Sequence, residues 1–154
     1  MLKCFQYNSE YEIIQTQVQP SFLNRDINKM FNFTGEKPSN LGVKDGQLTA
    51  CPGTPNCVNS QGTDTQSKIE PLPDVSIAEI KQVVEGMERT TIVEETDNYL
   101  YAEFKSKLMG FVDDVEFYRD REAGVVQVRS ASRLGQSDLG VNRKRVEEIR
   151  SKLK

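Results

Sequence analysis

The stretch FVDDVEFYRDREAGVVQVRSAS, residues 111–132, decides the fold because apolar and polar side chains alternate along both of its halves. Alternation with a period of two is typical of a half-buried strand. The first half places Asp113 on the same face as its apolar residues, which are Phe111, Val115 and Phe117. In the second half one face carries Val126, Val128, Ser130 and Ser132. Residues 121–124 suit a tight turn, so we predict a hairpin with strands over about 111–118 and 124–132.

Matching the apolar faces of these two strands leaves two registers of pairing. Either register sets Arg129 against a carboxylate on one face of the sheet, Asp114 in the first register and Glu116 in the second. Either register also sets Asp113 against a serine hydroxyl on the other face. The serines are, in the same order, Ser130 and Ser132.

The residues on both sides of this hairpin predict two helices and two more strands. Ser76 and Glu79 form the S-x-x-E capping box of a helix that ends near Arg89. Two strands follow, and Asn142 suits the N-cap of a closing helix. The strands cover Thr90–Glu95 and the residues after Asp97-Asn98, where Leu100, Ala102 and Phe104 share a face. Short connections in this order predict an α+β fold, in which an antiparallel sheet of four or more strands has both helices packed on one face.

The N-terminal part of the chain has a different character. Proline and glycine punctuate residues 34–72 at short intervals, which predicts a long irregular segment that wraps the domain. We interpret residues 1–33 as an extension and residues 34–154 as one α+β domain. The extension contains a short amphipathic helix with apolar positions Phe22, Leu23, Ile27, Met30 and Phe31. This helix either packs on its own domain or docks on a partner.

The composition narrows the range of functions. The chain has no histidine, which excludes Ser-His-Asp and Cys-His catalysis and every histidine-ligated metal or haem site. Its 20 lysines and arginines against 23 aspartates and glutamates give a net charge of −3, so no overall positive field favours nucleic acid. No apolar run has the length of a membrane-spanning helix. We therefore predict no catalytic residue, no cofactor and no metal site, and the sequence favours a protein that is not an enzyme.

A dense group of polar residues lies between residues 111 and 145. Asp113 stands on an otherwise apolar face, where a carboxylate is costly without compensating charge, and Arg133 is a candidate partner. One interpretation is a buried polar network formed by Asp113, Asp114, Glu116, Ser130, Ser132 and Asp138. The other is a pocket that binds a carboxylate or phosphate beside the N-terminus of the last helix. The candidate residues for that pocket are Arg129, Arg133, Asn142 and Arg145.

Two of the three cysteines lie close together in CPGTPNC, residues 51–57. The intervening prolines and glycine favour turns that could bring Cys51 and Cys57 together. A disulfide there would close a loop of about 7 residues and stabilise the fold by about 2 kcal/mol. The alternative is two thiols in a reducing cytosol.

Three separated runs closely resemble the domain-of-unknown-function family numbered 1499. They are CPGTPNCVNSQ (Cys51–Gln61), FVDDVEF (Phe111–Phe117) and RSASRLGQSDLGVNRKRVEEIR (Arg129–Arg150). The resemblance covers about residues 34–154 and implies no activity, substrate or cofactor. NLGVKDGQL (Asn40–Leu48) looks most like members from photosynthetic lineages, cyanobacteria and plastids.

Two functional hypotheses follow from these observations. In the first, the chain is an accessory module of a photosynthetic or membrane-peripheral assembly, joined through the extension. In the second, it binds or converts a small anionic metabolite at the Arg129 and Arg133 end of the sheet. The start MLKCFQYNSEYEII lacks the unbroken apolar stretch of a secretory signal, so the cytoplasm or the stroma is expected. The alternative is a location at the thylakoid or the envelope, since many members of the family carry an N-terminal signal or anchor.

Overall fold

The computed structural model describes residues 33–153, whose main feature is a six-stranded antiparallel sheet. In chain order the elements are β1 (Val43–Lys44), β2 (Gln47–Leu48), β3 (Cys57–Asn59), β4 (Leu72–Pro73), α1 (Ile77–Glu85), β5 (Thr90–Glu95), β6 (Tyr99–Lys105), β7 (Val112–Asp120), β8 (Val125–Ser132) and α2 (Val141–Lys152). The sheet runs β3-β8-β7-β6-β5, and β4 also pairs with β8. Strands β1 and β2 form a separate hairpin. The predicted α+β class is confirmed.

The β7–β8 hairpin adopts the second of the two predicted registers. Glu116 lies opposite Arg129, and Asp113 lies opposite Ser132. The first register is wrong, because it would leave only Arg121 and Glu122 in the turn, and two-residue hairpin turns of the favoured type need positive φ at both positions. The observed loop instead has four residues and ends at Gly124, whose φ of 64° falls in the left-handed region.

Both helices contribute to one core on the same face of the sheet. The predicted capping box is present, because Ser76 Oγ accepts from Glu79 N at 3.2 Å and Glu79 Oε2 accepts from Ser76 N at 2.9 Å. The helices supply Ile77, Ile80, Val84, Val146 and Ile149 to this core. The strands supply Leu100, Ala102, Phe104, Val115, Phe117, Val126 and Val128.

Two predicted helix boundaries are wrong. Helix α1 ends at Glu85, earlier than predicted, and Arg89 lies beyond it with a left-handed φ of 57°. Gly86 is the C-cap, since glycine in a helix interior is unfavourable. Helix α2 begins at Val141 after Gly140, so Asn142 is not its N-cap but a fully buried residue of its first turn.

The second face of the sheet is covered by the irregular segment that precedes β3. Leu41 and Leu48 pack there against the buried rings of Tyr99 and Tyr101. Gly42 N also donates to Glu116 Oε1 at 2.7 Å, which ties the segment to β7. The short strands β3 and β4 were not predicted, because two or three residues are too few to show a period.

The predicted extension lies outside the described residues except for Phe33, which packs on Phe111 with ring centroids 5.3 Å apart. The proposed docking positions Phe22, Leu23, Ile27, Met30 and Phe31 are all outside the described part. Among residues 33–153, neither helix is long and apolar enough to cross a lipid bilayer.

Candidate functional site

The end of the sheet where β8 leads into α2 holds a network of polar side chains on the helix side. Side chains alternate between the two faces along β7 and β8, and both Asp113 and Ser130 point to the helix side. Arg145 contacts them from the second turn of α2. Arg145 Nη2 donates to Asp113 Oδ2 at 2.5 Å, and Nη1 donates to Ser130 Oγ at 3.1 Å. We call this group the helix-side network; its members are Asp113, Ser130, Ser132, Asp138, Asn142 and Arg145.

Asn142 is the centre of the helix-side network and ties it to the segment before β3. Its Nδ2 lies within hydrogen-bond distance of Asn56 O at 3.1 Å, Ser132 Oγ at 3.0 Å and Asp138 Oδ2 at 2.8 Å. Asn56 also binds the loop after β8, because its Nδ2 donates to Gly135 O at 2.7 Å. The side-chain amides of Asn56 and Asn142 therefore both hold the loop between β8 and α2 in place.

A carboxylate of the chain itself occupies the N-terminus of α2. Asp138 Oδ1 accepts from Gly140 N at 2.9 Å, and Oδ2 accepts from Asn142 N at 2.7 Å. The helix dipole and the unpaired first-turn amides favour an anion at this position. The sequence predicted that these amides bind a carboxylate or phosphate ligand; in the structure two of them donate to Asp138, and ligand binding here stays a prediction.

On the opposite face, Asp114 is the centre of a second group, the outer network, formed by Tyr101, Glu103, Asp114 and Arg133. Arg133 Nε donates to both oxygens of Asp114, at 3.1 and 3.0 Å, and Tyr101 Oη donates to Asp114 Oδ1 at 2.6 Å. Arg133 Nη2 also contacts Glu103. Arg133 is thus the partner of Asp114 and not of Asp113, because it follows Ser132 on the face to which Asp114 points.

The pKa shifts in the outer network all favour the states that hold it together. Burial, together with the hydrogen bond to Asp114, raises the pKa of Tyr101 far above its usual value. Burial alone would raise the pKa of Glu103, but the hydrogen bond from Arg133 brings that pKa below its usual value. Hydrogen bonds to Asp114, acting against burial, raise the pKa of Arg133. Tyr101 remains a neutral donor, which makes the network a set of satisfied ion pairs rather than an acid–base pair.

A third buried ion pair lies further along the same face. Glu116 is fully buried and accepts from Arg129 Nη1 at 3.2 Å and from Tyr99 Oη at 2.9 Å. Burial and the charge of Glu116 raise the pKa of Tyr99, so this hydroxyl also remains a donor. Arg129 Nε is buried without a hydrogen-bond partner among residues 33–153.

The structure separates the four residues of the predicted anion pocket into two pairs. Arg129 and Arg133 lie on the outer face, while Asn142 and Arg145 lie on the helix side. Each arginine is neutralised by a carboxylate of the chain: Arg129 by Glu116, Arg133 by Asp114, and Arg145 by Asp113. Anion binding at these residues stays a prediction, and any such anion has to compete with an internal partner.

Ser130 lacks the surroundings of a nucleophile. Its Oγ donates to Asn142 Oδ1 and accepts from Arg145, and neither group can remove its proton. The helix-side network therefore fixes the shape of this end of the molecule.

The end of the molecule beside these networks carries unusually exposed apolar side chains. We call it the tip and define it as the loops 106–111 and 133–141. Leu108 is 95% exposed and Leu139 is 88% exposed. The tip's other exposed apolar residues are Met109, Leu134 and Val141. Between the two loops lies a cavity of about 170 Å³, lined by residues that include Phe111, Leu134, Val141, Asp113 and Asp138.

Sequence reasoning missed the tip and the tyrosines of the outer face. Tyr101 and Glu103 share a face with Asp114, because β6 pairs with β7 at Glu103 and Asp114, and extending the parity argument to that pair would have found them. The exposed leucines gave no signal, because a single leucine in a loop sequence does not reveal its exposure.

The disulfide that the sequence left open is present between Cys51 and Cys57. It closes the loop that carries Asn56, and Cys57 pairs with Ala131 of β8. The disulfide therefore braces the strand from which the tip loop departs.

The chain was compared with curated proteins and with models of protein families. A search of curated proteins found none that matches the chain. A family model described as "Protein of unknown function (DUF1499)" matches residues 47–153, more than half of the chain. This match covers the disulfide loop from Cys51, the β7–β8 hairpin and all of α2. The chain belongs to the DUF1499 family, as its three sequence motifs predicted.

Proposed function

We propose that the chain is an accessory module without catalysis of its own, which docks on an anionic membrane surface through the tip. The observation that carries the proposal is the near-complete exposure of Leu108 and Leu139. Apolar side chains that project from neighbouring loops mark binding surfaces. Burying one leucine from water contributes about 1.5–3 kcal/mol.

The tip is rigid enough to present these side chains without reorganisation. Asp138, Asn142 and Asn56 hold the loop that carries Leu139 through buried hydrogen bonds. Leu139 itself has a left-handed φ of 54°, which is unfavourable for leucine. Strained residues persist where the surrounding structure over-determines them, and they cluster at functional sites.

The charges around the tip favour a lipid surface over a protein partner. Lys105 and Lys107 flank the loop of Leu108, and both are exposed. Neither has a carboxylate within ion-pair distance among the described residues. Apolar side chains with adjacent lysines bind the interface of anionic bilayers, where each lysine adds about 1 kcal/mol.

The disulfide and the family resemblance both support a location at a thylakoid or envelope surface. Disulfides persist in oxidising compartments, so the Cys51–Cys57 bond favours a thylakoid or envelope surface over a reducing cytoplasm or stroma. The likeness of Asn40–Leu48 to members from photosynthetic lineages favours a photosynthetic membrane assembly. The apolar positions between Phe22 and Phe31 would then provide a second contact with that assembly.

The test is co-sedimentation of the full chain with vesicles of phosphatidylcholine mixed with phosphatidylglycerol. We expect Leu108→Gln and Leu139→Asn each to weaken binding by about tenfold or more, the effect of losing one buried leucine. Asparagine tolerates the left-handed region, so Leu139→Asn should not lose stability. Val93→Gln, at a 43% exposed position on β5, is the matched control and should bind like the wild type. A wild-type chain that stays in the supernatant, or a control that loses as much as the tip variants, would contradict the proposal.

A further inference from the structure

A groove of about 580 Å³ lies next to the tip, between the end of α1 and the outer side of α2. It shares Ser106, Asp113 and Val141 with the lining of the tip cavity, so the two are neighbours. Its apolar lining includes Met87, Phe104 and Val141.

The charged residues of the groove do not balance. Five cations and three carboxylates line it, and each carboxylate is paired with one of the cations. The pairs are Arg89–Glu88 at 2.5 Å, Arg145–Asp113 at 2.5 Å and Lys152–Glu148 at 2.7 Å. Lys105 and Lys144 are left, and no carboxylate lies within 4.0 Å of either ammonium group in the described part of the chain.

The two unpaired lysines stand where the groove meets the tip. The side chain of Lys105 lies over Gly110, since its Cε is 3.2 Å from where a β-carbon of that glycine would be. Lys144 is one helical turn from Val141, which lines both the groove and the tip cavity. Arg89 lies beside Lys105, has a left-handed φ of 57° and donates from Nε to Lys105 O at 3.2 Å. This strained contact fixes the backbone that carries Lys105.

We propose that this groove binds the phosphate headgroup of an anionic phospholipid, with Lys105 and Lys144 as the residues that contact the phosphate. Lysine binds phosphate as a point charge, and two unpaired lysines beside an apolar wall suit a phosphate diester attached to a hydrocarbon. This inference rests on the proposed membrane docking and specifies the lipid. The leucines of the tip would enter the bilayer interface while the groove takes one headgroup.

The first measurement compares Lys105→Gln and Lys144→Gln with Lys44→Gln, which removes the same charge from strand β1. On vesicles of phosphatidylcholine mixed with phosphatidylglycerol, each groove variant should bind about fivefold more weakly, the effect of one lysine at an anionic surface. Lys44→Gln should stay close to the wild type, and Lys105→Arg should retain most of the binding. Thermal unfolding of each variant checks that the fold is kept. A loss in Lys44→Gln equal to that in the groove variants would mean diffuse electrostatics and would overturn the groove.

The second measurement separates the groove from the bilayer. A short-chain phosphatidylglycerol below its micelle concentration should shift amide NMR signals of groove residues, among them Lys105 and Lys144, without any vesicle. Inorganic phosphate and glycerol phosphate should bind much more weakly, and equal binding would overturn the assignment to a lipid. If the tip variants lose vesicle binding while the short-chain lipid leaves the signals of the groove residues unshifted, the docking function stands and the groove proposal fails. If the wild type does not bind vesicles but the short-chain lipid shifts the amide signals of the groove residues, the groove proposal stands and the docking function fails.

Discussion

The hydroxyl group of Tyr101 forms hydrogen bonds with two charged side chains of the outer network, Asp114 and Arg133. The side chain of Tyr101 is fully buried, and its Oη donates to Asp114 while accepting from Arg133 Nη2 at 3.0 Å. The hydroxyl thus joins an anion and a cation whose side chains are only 1% and 6% exposed. A buried ion pair that loses a hydrogen-bonding partner is left under-compensated, which costs more than the bond itself.

Tyr101→Phe should lower the free energy of unfolding by about 2 kcal/mol, because Asp114 loses a donor that water cannot replace. Urea denaturation of the full chain measures the loss. Tyr118→Phe is the control, since Tyr118 packs on the same face but its hydroxyl makes no hydrogen bond within residues 33–153. Equal stability of the two variants would show that Tyr101 contributes through its ring alone.

The raised pKa values of Tyr99 and Tyr101 make the stability depend on alkaline pH. The folded chain holds these protons more tightly than the unfolded chain, whose tyrosines ionise near pH 10. Their contribution is therefore complete below about pH 10 and is lost as the pH rises above it. We expect the free energy of unfolding to fall as the pH rises above about 9 to 10, with a shallower fall in Tyr101→Phe than in the wild type. A flat profile for the wild type would contradict this.

Among the elements, β8 connects the features that matter for function. It pairs with β7 along one edge and with both β3 and β4 along the other. Its last residues lead directly into the tip loop. The disulfide end of β3, at Cys57, lies opposite Ala131. A loss of order in the disulfide loop should therefore also loosen the tip loop 133–141, because β8 connects the two.

Reduction of the disulfide should destabilise the chain by about 2 kcal/mol, the loop-closure value for so short a ring. The protection of amide protons around Asn56 and in the loop 133–141 should fall with it, as seen by hydrogen exchange. Cys51→Ser combined with Cys57→Ser should show the same loss and should not respond further to reductant. If reductant affects the double variant as strongly as the wild type, the effect arises elsewhere, for example at Cys4.

The elements also show what a sequence can and cannot predict. Periodicity predicted β6, β7 and β8 and the parity of Asp113, because a sheet with one buried core face requires alternation. Periodicity left two registers open, and the four-residue turn that ends at Gly124 corresponds to the second of them. Helix α1 ends before its C-cap Gly86, and α2 begins after the left-handed Gly140; these single positions are not revealed by any period. The partner of Arg133 was predicted wrongly because its direction is set by the chain's path after β8.

Across residues 33–153, six lysines have no carboxylate within ion-pair distance, namely Lys37, Lys44, Lys68, Lys105, Lys107 and Lys144. The body is acidic, and its buried arginines are matched by carboxylates on both faces of the sheet. The unpaired lysines of the described residues include Lys105, Lys107 and Lys144 near the tip. Under the proposed docking, these three lysines attract an anionic surface to the end of the molecule that carries the exposed leucines. The composition gave only the net charge, since this arrangement requires the fold.

Asp113 and Asp114 are neighbours on β7, yet each forms an ion pair on a different face of the sheet. A hairpin misaligned by one residue would separate both acids from their arginines at once and would push one of them into the hydrocarbon interior. The ion pairs on the two faces therefore both require the same register of the hairpin. Because Arg145 belongs to α2, packing of the last helix stabilises the correct register of the hairpin over its one-residue alternatives.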